Sequence, residues 1–411
     1  MEGGVMSVYC KPWSKLALFL YALMLTACNS GSQAPPNLNM VISVSSDGDY
    51  AIATNTNKQA VLWNLQAHTY KIIFKNANIY SAYFIKNTDD FMYQNDATNE
   101  VVVENTSGQI IKTFNPGFAT YGQVMTSDLN NYFASDENFI IYKVSFPQNN
   151  RSIIFDPVCP PDHANPSAPS DVVFVGCASF EGAGQLFGLT LTPDQQSLVG
   201  AADGGFNVWN VATGKLLVQS GKNDAETVAA INPDGHYLVT GDIMDRAIYY
   251  NLKSNKWVGY FYSMPVLPEA AAYYAQGYYP QEILAVKFIA RDSLLVFAHG
   301  EGSPFNYAAL FNPMVMTPIK NSFKDSPFLY NVYPIKYLPL IPNAATDMNQ
   351  QDDWPLTSDD FSRDQAIDTS PSAHVLVMSQ QNANGIIVYH FDPETQTLVR
   401  EWSGVVEEGW F

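Results

Sequence analysis

The sequence predicts an all-β chain: a single seven-bladed β-propeller of four-stranded antiparallel blades, with long loop insertions on one face. Three observations predict it. A pattern of four short apolar strands recurs seven times, at a spacing of about 40 residues. Asp or Ser marks the first turn of each copy. An apolar or aromatic residue closes each third strand.

Residues 41–74 show the pattern most plainly: VISV, the turn Ser46-Asp47-Gly48, then YAIAT, AVLWN and TYKIIF. Short apolar runs bounded by turn residues, rich in β-branched and aromatic side chains, read as strands. The turn residue recurs as Asp47, Asp89, Asp128, Asp194, Asp234, Asp292 and Ser372. The third-strand residue recurs as Trp63, Val103, Tyr142, Trp209, Tyr250, Phe311 and Tyr389. In four copies Asn follows it: Asn64, Asn210, Asn251 and Asn312. Asp-Gly at Asp47-Gly48 and Asp234-Gly235 suits tight turns, because Gly takes positive φ and Asp bonds its own backbone. These residues read as parts of blades, not of a site. A sheet with two apolar faces must bury both, and stacking copies around an axis does so while leaving short edges.

The stretches SSDGDYAIATNTNKQAVLWN and TPDQQSLVGAADGGFNVWN resemble WD40-type repeats. The resemblance spans roughly residues 41–402. Asn stands where that family has Asp after the Trp, and the Gly-His pair that opens many such repeats is absent. The propeller is expected over 40–403, with a tail at 404–411. Copy one starts at its own first strand and copy seven ends on its own fourth, so no shared outer strand is expected.

The N-terminus carries an address. Lys11 and Lys15 precede the apolar run LALFLYALM and the small-residue sequence Leu25-Thr26-Ala27-Cys28, as in a secretory leader over 1–27. The run is too short to span a bilayer comfortably. Leu25-Thr26-Ala27-Cys28 resembles a bacterial lipoprotein box. That resemblance implies an acylated Cys28 and, with Asn29 next to it, placement in the outer membrane, the propeller lying in the periplasm or at the cell surface. Acyl chains give membrane affinity without a spanning helix. Residues 28–39 form a polar tether. Glu2 is unusual in a basic leader, which makes Met6 an alternative start.

Of the four cysteines, Cys10 lies in the leader and Cys28 takes the lipid, which leaves Cys159 and Cys177. In an oxidising compartment this pair predicts a disulfide, which would stabilise by about 3 kcal/mol in the chain-entropy model. A lone His163 between them does not make a zinc site. The formal net charge is −18, and removal of residues 1–27 leaves it one unit more negative. Such a surface repels nucleic acid and anionic headgroups. With 47% hydrophobic residues the chain has ample material for a core.

Three insertions interrupt the copies: 156–185, 263–281 and 324–364. Each is read as joining the fourth strand of one copy to the first of the next. The chain reverses at every turn, so these connections share a face with the strand-two-to-three loops, including the long one around His299. Insertions confined to one face mark a binding face. The second carries Tyr273, Tyr274, Tyr278 and Tyr279; the third carries Tyr330, Tyr333, Tyr337 and Trp354. Tyr and Trp anchor protein interfaces, so these eight are the candidate partner-binding residues, against the alternative that they fold the loops onto the blades. The acidic stretch of the third insertion, 347–364, lacks the spacing of a calcium loop and reads as solvated.

The sequence holds no HExxH, GxSxG or GxxxxGK[ST] motif. No catalytic residue, metal ligand or cofactor is assigned. The expectation is a non-enzymatic, outer-membrane-anchored scaffold for other envelope proteins, a subunit of an assembly or secretion machine. The alternative is a propeller enzyme, or a binder of a small ligand or metal at the central channel.

Overall fold

The structure, a computed structural model, describes residues 41–406 apart from 55–58, 74–78, 96, 121, 137–139, 157–172, 175–185, 203–204, 220–225, 243–245, 263–279, 301–305, 313–316, 319–329, 332–335, 339–366 and 381–384. Every regular element among the described residues is a strand.

Seven sheets follow one another along the chain, each with its strands hydrogen-bonded in order. Blade one is Ile42–Val44, Tyr50–Thr54, Ala60–Asn64 and Thr69–Ile72. Blade two is Ile79–Phe84, Asp90–Asn95, Glu100–Asn105 and Ile110–Phe114. Blade three is Gln123–Met125, Asn131–Ser135, Ile141–Ser145 and Asn150–Phe155. Blade four is Leu186–Leu191, Ser197–Ala202, Gly205–Asn210 and Leu216–Gln219. Blade five is Glu226–Ile231, Tyr237–Asp242, Arg246–Asn251 and Lys256–Tyr262. Blade six is Pro280–Ala290, Ser293–Gly300, Asn306–Phe311 and Lys336–Leu338. Blade seven is Ile367–Ser370, Val375–Gln380, Gly385–Asp392 and Thr397–Val405. The first and last blades are each complete in their own four strands among the described residues. The last strand runs past residue 403, and Val406 beyond it is buried against blade one.

Among the described residues, seven hydrophobic clusters form the interfaces between neighbouring blades. Each strand gives alternate side chains to its two neighbours. In the third strand of blade four, Trp209 faces Phe133 and Phe155 of blade three, while Phe206 and Val208 face Leu238 and Tyr250 of blade five. Burying a side chain of this kind stabilises by about 2–3 kcal/mol, so the ring is held mainly by these contacts.

The first turns of blades one, three and four are tied by a shared device. The hydroxyls of Ser45, Thr126 and Thr192 donate to Oδ1 of Asp47, Asp128 and Asp194 at 2.6, 2.6 and 2.7 Å. The same carboxylates accept the N–H of Asp49, Asn130 and Gln196 at 2.9–3.0 Å. Blade five substitutes Asn232, whose Oδ1 accepts Tyr237 N–H at 2.8 Å. In blade two Asn87, not Asp89, holds this place, since Thr88 N bonds Ile85 O as Gly48 N bonds Ser45 O. The Asn after the closing aromatic caps the next turn: Asn64, Asn210 and Asn251 accept N–H groups of Ala67, Thr213 and Ser254 at 2.7, 2.9 and 2.8 Å. Asn therefore serves locally where the WD40-type repeat has Asp.

Strand registers correct two positions. Opposite the first inward residue of strand two stand Glu104 in blade two and Val144 in blade three, not Val103 and Tyr142. Tyr142 lies one residue into its strand and gives its hydroxyl to Asp136 at 3.2 Å.

Two insertions also differ from expectation. The first contains Val173–Phe174, which pairs parallel to Asn150–Phe155 and gives blade three a fifth, outer strand. A parallel partner needs a long crossover, and this insertion supplies it. The third is divided. Lys336–Leu338, inside it, is the fourth strand of blade six and pairs with Ala308–Leu310. Pro318, which has no N–H to give a ladder, sits instead in a separate pair of short strands, Thr317–Pro318 with Tyr330–Asn331. The insertion was expected to follow the fourth strand of blade six, yet that strand lies inside it, between Pro334 and Pro339.

Candidate functional site

The first strands of all seven blades converge on the axis and line a channel with a volume of about 420 Å³. Bonds between blades hold these strands at a fixed spacing. Phe84 N–H donates to Ser43 Oγ at 3.0 Å, and Gln123 Nε2 to Ser81 Oγ at 2.8 Å. Thr369 Oγ1 donates to Phe288 O at 2.8 Å. Val44 N–H donates to Asp368 Oδ2 at 2.8 Å, which joins blade seven to blade one.

Three charged side chains line the channel among the described residues: Lys86, Lys287 and Asp368. Lys86 follows the first strand of blade two and reaches across the axis to blade four. Its Nζ donates to Thr190 Oγ1 and to Leu191 O, both at 3.1 Å. Asn87 beside it gives its N–H to Ser46 Oγ at 2.8 Å and its Nδ2 to Pro193 O at 3.2 Å. Gln195 of blade four completes the crossing by accepting Ser127 N–H at 2.7 Å. The turn-face mouth is thus braced by blades one, two, three and four together.

Water reaches Lys86, yet protein surrounds it. Burial is the main cause that lowers its pKa; the charge of Lys287 lowers it further, and Asp368 works against both. Lys287 and Asp368 sit on the facing first strands of blades six and seven, next to the Thr369–Phe288 bond.

The residues singled out from the sequence distribute differently. Cys28, Cys159, Cys177, Tyr273, Tyr274, Tyr278, Tyr279, Tyr333 and Trp354 lie outside the described residues. Tyr330 is in the short strand pair between the third and fourth strands of blade six. Tyr337 is within the fourth strand itself. Strand parity puts the ends of that three-to-four connection on the turn face. The ends of 156–185 and 263–279 lie on the opposite face, so the connection that holds Tyr330 departs from the other side of the ring. No group of three or more His, Cys, Asp or Glu placed to hold a metal occurs among the described residues.

Sequence reasoning missed Lys86, Lys287 and Asp368. Their signal was a charge within or just after an innermost strand that is otherwise apolar, as in ILAVKFIA.

The fold is that of a seven-bladed β-propeller with WD40-like structural neighbours. One neighbour is a chain in a crystal structure of the mitotic checkpoint complex: TM-score 0.53, 10% identity, covering 85% of this chain and 87% of that one. A second is the β-propeller domain of Cps50 (Swd1) from Myceliophteria thermophila, with TM-score 0.51 and 11% identity, covering 83% and 93%. A third is Hsv2 of Kluyvelomyces marxianus, with TM-score 0.50 and 9% identity, covering 89% and 99%. At these identities the likeness is one of fold. No family model matches the chain, and no curated protein matches it.

Proposed function

We propose that the protein is a lipoprotein anchored in the outer membrane, whose propeller is a protein-binding scaffold within an envelope assembly or secretion complex. The fold supports the scaffold part: a rigid ring of seven blades that presents variable connections, as propellers in protein complexes do, one of its neighbours being a chain of the mitotic checkpoint complex. The lipoprotein part rests on Leu25-Thr26-Ala27-Cys28 and the polar tether after it. The partner surface is the face from which 156–185 and 263–279 depart, with Tyr273, Tyr274, Tyr278, Tyr279 and Trp354 as anchors. The observation that carries the reading is that the longest departures from the blade repeat, apart from the divided one in blade six, join a fourth strand to the next first strand.

The test has two arms. Cys28→Ala should abolish acylation and release the protein from the membrane pellet, whereas continued sedimentation after a high-salt wash means that a protein holds it there. Trp354→Ala and the double change Tyr278→Ala/Tyr279→Ala should each reduce co-purification of the partner about thirtyfold, the effect of losing about 2 kcal/mol at an anchor, with an unchanged thermal melt. Full partner recovery from both variants refutes the assigned surface.

A further inference from the structure

Asn207 breaks the blade repeat at a place that most other blades fill with hydrocarbon. It stands two residues before the closing Trp209 in the third strand of blade four. The same place holds Val61, Val102, Ile248, Ala309 and Ile387 in five blades. In blade three it holds Tyr142, whose hydroxyl has Asp136 as its partner. Asn207 is 0% exposed, and neither its Nδ2 nor its Oδ1 has a hydrogen-bond partner among the described residues. A buried carboxamide is costly unless its donors and acceptor are met.

The registers across blade four set Leu189, Gly200, Asn207 and Gln219 in one row. Residues directly opposite one another share a face of the sheet. Phe206 and Val208, on either side of Asn207, face blade five, so Asn207 faces blade three. Gly200 brings no side chain to the row, which leaves room beside the amide. Trp209, on the same face, has an indole Nε1 that is also buried without a partner among the described residues. From blade three comes Ser135, fully buried and two residues beyond Phe133, which lies in the same interface. A Cβ on Gly122 would stand 3.6 Å from Ser135 Oγ and 3.8 Å from Leu189 N, so this hydroxyl is level with the row.

We propose that the interface between blades three and four encloses a hydration site, in which ordered water is held by the Asn207 carboxamide opposite the Ser135 hydroxyl. The unmet atoms select the class of guest. Oδ1 needs a donor, which an anion does not supply, and Nδ2 needs an acceptor, which a cation does not supply. A neutral molecule that both donates and accepts satisfies the two together. Asn207 is closed off on all sides, which limits that molecule to the size of water. Internal water is stable where it finds two to four polar partners, and the Asn207 amide and the Ser135 hydroxyl provide them. The water also has a path for exchange. Gly122, Gly188 and Leu189 line the axial channel, and a Cβ on Gly188 would meet nothing within 4 Å.

A high-resolution crystal structure and water-oxygen magnetic relaxation dispersion of the purified protein test this. The wild-type map should show a water peak within about 3.2 Å of Asn207 Nδ2 or Oδ1. Asn207→Val gives blade four the residue type of blades one and two. In that variant the peak should vanish, and the count of long-lived internal waters in solution should fall. Gln219→Val, in the same row but exposed, should leave the count unchanged. The wild-type map needs no variant, so it decides the matter even where Asn207→Val does not fold. A map with no water at the amide, a protein group bonded to both amide atoms, or a molecule larger than water in that place would each overturn the proposal. So would an unchanged count in a folded Asn207→Val protein, or an equal fall in Gln219→Val.

Discussion

The Lys143 ammonium, buried in the third strand of blade three, donates to the carbonyl oxygen of Val211 in blade four at 2.7 Å. It also donates to Ala212 O at 2.6 Å. Lys112 makes the equivalent crossing from blade two to blade three, with its Nζ 2.7 Å from Leu129 O and 3.3 Å from the centre of the Phe146 ring. Lysines thus act as cross-links between blades in a chain that has few cations to spend on its surface.

Lys143→Met should destabilise the protein by about 1–2 kcal/mol, since it removes hydrogen bonds from a charged donor while water reaches the exposed Ala212 turn. Burial lowers the pKa of Lys143. A lysine whose folded pKa lies below its unfolded value penalises folding at neutral pH, and the penalty fades as pH rises from the folded value to about 10.5. Urea unfolding of the wild type should therefore show a contribution that gains stability with alkalinity up to that point, and the Met variant should lack it. Identical pH profiles would refute this.

Tyr142 acts in the opposite sense. Its hydroxyl is pushed up to about 12, first by burial, then by the charge of Asp136 and the hydrogen bond to it, with Arg151 opposing. The folded pKa exceeds the unfolded value of about 10, so this group's stabilisation is complete below about pH 10 and is lost as pH climbs toward 12. Tyr142→Phe should make the fall in unfolding free energy over that interval shallower by one proton. Equal slopes for variant and wild type would count against the assignment.

Gly48 lies at φ +78°, and a Cβ there would stand 2.3 Å from the Cβ of Ala373 in blade seven. The same contact brings the Ser370 and Ser372 hydroxyls onto Ser46 O. Gly48→Ala should cost roughly 2 kcal/mol or more, through strain at positive φ and a collision where the ring closes. Thermal unfolding measures the cost. A change below about 0.5 kcal/mol would show that the junction yields easily.

Asp194→Ala removes the acceptor of both Thr192 Oγ1 and Gln196 N–H. The expected loss is about 1 kcal/mol, with Thr192→Val giving a similar loss and the double variant much less than the sum. Strict additivity in the double-mutant cycle would mean that the two side chains do not act as a unit.

The blades were legible because what defines them is local. A strand, its turn Asp and its closing aromatic all fall within a few tens of residues, and the period repeats often enough to be read against itself. Blades two and three were misregistered by one or two residues because Glu104 and Val144 hold the place that an aromatic holds in most other blades, so only the hydrogen-bond ladder identifies them. The third insertion was expected wholly after the fourth strand of blade six, and its start was misplaced for a related reason. Prolines argue correctly against a long strand but do not forbid a three-residue one, and only pairing with Ala308–Leu310 reveals it.

From the sequence alone came the all-β class, the number of blades and the face-to-face burial, since these rest on periodicity and composition. Tertiary structure alone decided the channel. Lys86, Lys287 and Asp368 belong to blades two, six and seven, and Asp368 meets a backbone N–H 324 positions away. No local pattern encodes that meeting. Closing the ring gives the seven first strands a common axis, and charges that are solitary along the chain become neighbours because their strands are all innermost.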